Sequence, residues 1–163
     1  MKTLSLIAQK GGTGKTTLSI HLAVRASLDG IKVLLLDVDP QASATAWWRR
    51  RSESIPALVQ ADWQDLADKL DTARRHDYGL VVIDTAPHSS EEARTCAGLS
   101  DRVCIPTRPA ILDLDAIGAI ARADQLSNLF LVNEIDQLEM LARILPTAST
   151  PKRSLRAPAP AWT

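Results

Sequence analysis

The sequence predicts an α/β fold, a mostly parallel sheet with helices on both faces. Three observations predict it. Apolar runs such as 33–38, with five apolar residues in six positions, lack the alternation of a half-exposed strand and suit strands buried on both faces. These runs alternate with stretches of helical periodicity, which is the order of right-handed βαβ units. The first run also passes through a glycine-rich loop directly into the first helical stretch.

Taken in order, Leu4–Ala8 is the first strand, and Leu18 and Leu22 space the helix that follows, with Gly30 where a C-terminal cap belongs. The second strand, "KVLLLDVDP", stops at Pro40. Ala42–Arg51 predicts a helix and Ile55–Val59 a weaker strand. Trp63, Leu66 and Leu70 share one face of a second crossover helix. "GLVVIDTAP", residues 79–87, repeats the buried-strand pattern and again ends in an aspartate followed closely by proline. A helix over 89–101 begins with Ser and Glu residues suited to capping. A strand over 102–109, a helix over 111–126 and a short strand over 128–133 complete the alternation. Beyond Asn133 the pattern weakens. Leu138, Leu141 and Leu145 space an amphipathic helix, while 146–163 is Pro, Ala, Ser and Thr with Lys152, Arg153 and Arg156. The expected organisation is one domain over 1–145 and a disordered tail over 146–163.

The 163 residues are about one domain's worth, and 19 basic residues balance 19 acidic ones. No whole-molecule field draws the chain onto nucleic acid or anionic lipid, so any such binding is local. The N-terminal apolar stretch is too short for a signal-peptide core, and no run approaches the roughly 18 apolar residues of a membrane span. A cytoplasmic location is expected. Cys96 and Cys104 form no CxxC pair and read as reduced core thiols.

The chemistry concentrates in "QKGGTGKTT", Gln9–Thr17, which fits the phosphate-binding pattern G-x-x-x-x-G-K-[ST] except that Gln9 replaces the first glycine. Gly11, Gly12 and Gly14 let the backbone turn tightly and aim successive N–H groups inward, and the helix beginning near Lys15 adds its positive end. The result is a nest for a polyphosphate. Lys15 would reach the β and γ phosphates and the Thr16 hydroxyl would ligate Mg²⁺, with Thr13 and Thr17 completing the lining. The nest does not need Lys10. That lysine is either a solvated group at the loop rim or has a task of its own.

Lys10, Gly11, Gly12, Thr13, Gly14, Lys15 and Thr16 together resemble the deviant Walker A loop, K-G-G-x-G-K-T, of the ParA/MinD ATPases. The resemblance implies a P-loop NTPase, Rossmann-like fold that uses ATP and Mg²⁺. It also implies an ATP-dependent, face-to-face homodimer in which Lys10 crosses to the partner's nucleotide. Gln9 is closer to the ParA partition branch than to MinD. On the same resemblance, "LLLDVDPQAS" is switch I, with Asp39 orienting the attacking water and Asp37 nearer the strand and the metal shell. "VVIDTAP" resembles the Walker B strand, with Asp84 holding Mg²⁺ through a water and Thr85–Pro87 as switch II. The implied catalytic set is Lys10, Lys15 and Asp39, the metal set Thr16, Asp39 and Asp84. Asn133 falls where relatives bond adenine, and Pro106–Pro109 where they approach the nucleotide and dimer face.

The resemblance covers about residues 2–133, so the chain looks like a ParA-type protein with a shortened or altered C-terminus. It implies slow ATP hydrolysis that times dimer dissociation during segregation of plasmid or chromosomal DNA. A ParB-like centromere-binding adaptor and nonspecific DNA would be partners, giving a nucleoid-associated cytoplasmic protein. The alternatives are positioning of another cargo by the same switch, or a non-enzymatic form that titrates partners. A MinD-like membrane role fits poorly, because Glu134–Leu145 carries three acids and one base. His88 reads as a polar switch-loop or capping residue. Trp47 and Trp48 beside Arg49–Arg51 either stack on a partner or DNA base, or place one Trp inward under a solvated arginine face.

Overall fold

The computed structural model describes residues 1–8, 10–87, 90–106 and 129–132. Six parallel strands form one sheet: β1 (Lys2–Leu6), β2 (Val33–Asp37), β3 (Ala57–Gln60), β4 (Leu80–Asp84), β5 (Arg102–Pro106) and β6 (Leu129–Val132). Their spatial order is β3-β2-β4-β1-β5-β6. The helices are α1 (Lys15–Leu28), α2 (Ser43–Arg49), α3 (Leu66–Arg75), preceded by a 3₁₀ turn at Trp63–Asp65, and α4 (Ser90–Gly98). Each expected strand is present. The expected helix over 111–126, the helix over 134–145 and the tail lie outside the described residues.

The unbroken apolar runs have the predicted cause: every residue of β2 and of β4 is buried. Successive side chains point to opposite faces, so Val33 and Leu35 join Leu80 and Val82 in one core with Leu18, Leu22 and Ala26 of α1. Leu34 and Leu36 join Val81 and Ile83 in the other, with Leu66 and Leu70 of α3 and Cys96 of α4. Helices therefore cover both faces. In β1 the second face is polar, and its hydroxyls are consumed by α4 and the α4–β5 connection. Thr3 Oγ1 donates to Asp101 Oδ2 at 2.9 Å, and Ser5 Oγ to the Cys96 carbonyl at 3.2 Å.

Both long helices stop by the same device. After α1, Gly30 at φ 83° lets its own N–H reach Ser27 O while Ile31 N–H reaches Ala26 O, both 3.0 Å. After α3, Asp77 at φ 56° does this without glycine, and Tyr78 N–H closes on Ala73 O at 3.2 Å. The two turns return the chain to β2 and β4, whose carboxyl ends face the glycine-rich loop.

Cys96 and Cys104 are free, fully buried thiols, and burial pushes both up to about 12. They are inert at neutral pH.

Candidate functional site

The strand order puts β4 between β2 and β1, so the ends of three strands converge. In register, Asp84 lies beside Leu6 on one side and beside Asp37 on the other. Backbone and side-chain bonds tie these ends together. Thr85 Oγ1 donates to Leu6 O at 2.7 Å, Val38 N–H to Asp84 O at 2.9 Å and Ile7 N–H to Cys104 O at 3.0 Å. The loop after β1 therefore stands on a rigid base.

In that loop Gly12 (φ 72°) and Gly14 (φ 85°) occupy the left-handed region that favours glycine. Gly14 is the N-cap of α1, and no side chain caps its first N–H groups, which remain available to an anion. Lys15 opens the helix and is buried, 6% exposed. Burial lowers its pKa, and the charges of Asp84, Asp39 and Glu92 pull it back up. Such an ammonium gains from a bound anion. Thr16 is half-buried, Thr13 half-buried with its hydroxyl directed at the Lys10 carbonyl (3.5 Å), and Gly11, Gly12, Thr17 and Lys10 are exposed.

The three aspartates separate. Asp37 is fully buried, and its Oδ2 accepts from both the Thr45 amide (2.8 Å) and the Thr45 hydroxyl (2.7 Å), while Oδ1 accepts the Asp39 amide at 3.3 Å. It caps α2 from a distance, in place of the N-cap residue Ala42, which sits at φ 52° and has no side-chain bond to give. Both Asp37 oxygens are committed to these bonds, which make the residue the cap of α2. Asp39, 9% exposed, accepts the Gln41 amide N–H at Oδ1 at 2.8 Å. Asp84 is fully buried and uses one oxygen only. Ser19 Oγ donates to Oδ1 at 3.0 Å, whereas Oδ2 has no hydrogen-bond partner among the described residues. Burial pushes its pKa from 3.8 to about 6, against the Thr16 and Ser19 hydroxyls and the Lys15 charge and with the Asp37 charge.

That orphaned carboxylate oxygen tests whether Mg²⁺ fits. A buried carboxylate with one oxygen free, a hydroxyl on the adjacent helix turn and no dense set of protein ligands suits a cation held by phosphates and waters. Among the described residues no three His, Cys, Asp or Glu groups cluster as a metal cage. The site fits Mg²⁺ only in company with a polyphosphate.

Two members of the site escape sequence reasoning. Ser19 is a polar residue on the buried face of α1, and its position one turn after Lys15 was the available signal. Glu92 reads as a helix-start acid, yet it is buried (4% exposed) and accepts the Ala86 amide at 2.9 Å through Oε1. Asn133, His88 and residues 107–109 of the Pro106–Pro109 loop lie outside the described residues. Of the two tryptophans, Trp48 donates Nε1–H to the Pro56 carbonyl at 2.8 Å, and the Arg51 guanidinium lies 4.5 Å from the centre of the Trp47 ring.

Residues 4–157 match the profile of the CobQ/CobB/MinD/ParA nucleotide binding domain. The chain belongs to this family. It is 35% identical over 116 residues to the maintenance of carboxysome distribution protein A of Gloeobacter kilaueensis, covering 69% of this chain and 52% of that one. To the chromosome-partitioning ATPase Soj of Thermus thermophilus it is 45% identical over a 149-residue alignment, covering 74% and 60%. A plasmid partition protein of Borrelia burgdorferi, solved bound to AMPPNP, superposes with a TM-score of 0.64 at 22% identity, covering 91% of this chain and 83% of that one. That likeness shows the ParA/MinD fold. The chain spans about half the length of the curated relatives it matches first. Among the described residues no helix is long and apolar enough to cross a membrane.

Proposed function

We propose that this member of the ParA/MinD family is an ATP-driven switch for partition of plasmid or chromosomal DNA. It binds Mg-ATP at the Lys10–Thr17 loop, dimerises through the nucleotide and hydrolyses it slowly. The observation that carries the reading is Asp84 Oδ2, a buried oxygen without a partner among the described residues, at the end of the strand between the loop and Asp37. Mg²⁺, when bound, would offset the charge of the phosphates.

The chain's own residues have distinct tasks. The amides of Gly11–Lys15 and the start of α1 hold the phosphates, and Lys15 offsets charge on the transferred γ group. Thr16 and Asp84 would hold the ion, Asp84 through a water. Asp39 orients the attacking water from the β2 side, its carboxylate fixed by the Gln41 amide, and would belong to the surroundings of the ion. Lys10 is exposed, which suits a residue that would reach the nucleotide of a second copy. Asn133 would contact adenine.

The partners follow from the same reading: a homodimer, a ParB-like adaptor and nonspecific DNA. One relative is named for chromosome partitioning and another for carboxysome distribution, so another cargo would use the same switch. The test is sedimentation with Mg-ATP together with phosphate release. A charge-assisted contact contributes about 1.5–3 kcal/mol, so Lys10→Ala is expected to weaken ATP-dependent dimerisation about ten- to a hundredfold. Equal dimer in both forms would remove Lys10 from the interface, and no ATP-dependent dimer in wild type would reject the switch.

A further inference from the structure

We infer that Thr45 is a positioning residue for the hydrolytic step: through Asp37 it fixes the backbone that carries Asp39. The inference rests on the proposed role of Asp39 and adds to it a residue outside the glycine-rich loop and the strand-end aspartates.

A helix ordinarily takes its cap from the residue at its own N-terminus, whose side chain bonds an amide two or three places on. In α2 that residue is Ala42, and the bond to the third helical amide, that of Thr45, comes instead from Asp37, eight positions back. A serine or asparagine at 42 would cap the helix locally and leave the connection free. The distant cap closes 37–45 into a ring, because Asp37 Oδ2 accepts the Thr45 amide at 2.8 Å and the Thr45 hydroxyl at 2.7 Å. The other oxygen of the same carboxylate accepts the Asp39 amide at 3.3 Å. One side chain thus bonds the start of α2 on one side and Asp39 on the other. Within the ring the Gln41 amide donates to Asp39 Oδ1 and the Ala42 amide to the Asp39 carbonyl, both at 2.8 Å. Asp39 is therefore held by its amide, its carbonyl and its carboxylate together. Ala42, at φ 52° in a region that alanine rarely adopts, persists because the bonds on either side over-determine the turn. Thr45 is 4% exposed, and its hydroxyl donates to a carboxylate, a stronger bond than one between neutral groups. Without that hydroxyl the Asp37 carboxylate is free to turn, and the Asp39 amide loses a fixed acceptor. The Asp39 carboxylate then samples directions other than the one its water needs. Other residues hold the phosphates, so turnover falls while the grip on nucleotide stays.

The experiment uses the full chain and two readouts. The first is residue-resolved amide hydrogen exchange without nucleotide. Thr45→Val, of matching shape, is expected to speed exchange at Asp39 and Gln41 about tenfold while the amides of β4 keep their wild-type rates. The second is phosphate release over a range of Mg-ATP concentrations. The same variant is expected to lower kcat about tenfold with KM within about twofold of wild type. Thr45→Ser keeps the hydroxyl and should restore both readouts. Thr45→Cys, a weaker donor of similar size, carries the valine expectation should that variant unfold. Unchanged exchange at Asp39 and Gln41, a wild-type kcat in the valine variant, or an equal loss in Thr45→Ser overturns the inference while leaving the site intact. A lower melting point with kcat unchanged would make Thr45 a purely structural residue. Wild type that releases no phosphate rejects the hydrolytic reading itself and the positioning role with it, a distinct result.

Discussion

Asp37 and Asp84 are the same residue at the same level of two adjacent strands, paired in register and both fully buried. Their surroundings differ in one respect. Asp37 faces a helix start whose own cap position holds alanine, and three hydrogen bonds from Thr45 and Asp39 use both of its oxygens. Asp84 faces α1, where Ser19 takes one oxygen and leaves the other without a partner among the described residues. The satisfied carboxylate builds the fold, and the unsatisfied one is the group that the proposed Mg²⁺ site would use. Burial pushes the pKa of Asp84 from 3.8 to about 6.

The contrast is broken most forcefully at Asp37. Asp37→Ala removes the cap of α2 and leaves the buried Thr45 amide and hydroxyl unpaired, an expected loss of about 3–5 kcal/mol in urea unfolding. A loss below about 1 kcal/mol would mean that water replaces the carboxylate there. Asp84→Asn should do the opposite. With chelator present and pH above 6, it relieves a buried charge and stabilises the chain by up to about 3 kcal/mol, the equivalent of moving a carboxyl from 3.8 to about 6.

The sign with pH follows from linkage. The folded chain holds the Asp84 proton more tightly than the unfolded chain, so this group favours folding most below 3.8 and that contribution is lost as pH rises to about 6. Glu92, also raised by burial, acts in the same direction. Metal-free wild type should therefore lose stability across this window relative to Asp84→Asn, and parallel curves would contradict the assignment. Ser19→Ala sharpens the same point with a smaller effect. Removing a hydrogen bond to an ionised carboxylate should cost about 1.5–3 kcal/mol at neutral pH and less once Asp84 is protonated, read from melts at both pH values.

How far the site was legible in the sequence follows from how its parts meet. The loop was legible because an anion nest needs glycines at Gly12 and Gly14 and a lysine opening the helix, all in contiguous order. The buried strands were legible because β2 and β4 are covered on both faces. The capping of α2 by Asp37 was not, since its partner, Thr45, lies across a turn whose shape depends on Ala42 at φ 52°. Ser19 and Glu92 were missed for a related reason. Ser19 meets Asp84, 65 positions away in sequence, only once the chain folds, and Glu92 reaches back past its helix start to Ala86.

The central claim is that the Lys15 and Asp84 ends of the fold form one Mg-nucleotide site. The most direct measurement is the melting temperature of wild type, Lys15→Ala and Asp84→Asn, each with Mg-ATP and with ATP plus chelator. Ligand linkage predicts an upward shift with Mg-ATP in wild type, abolished by Lys15→Ala and stripped of its Mg²⁺ dependence by Asp84→Asn. A cooperative wild-type melt that Mg-ATP does not move, or a shift that both variants keep, would contradict it.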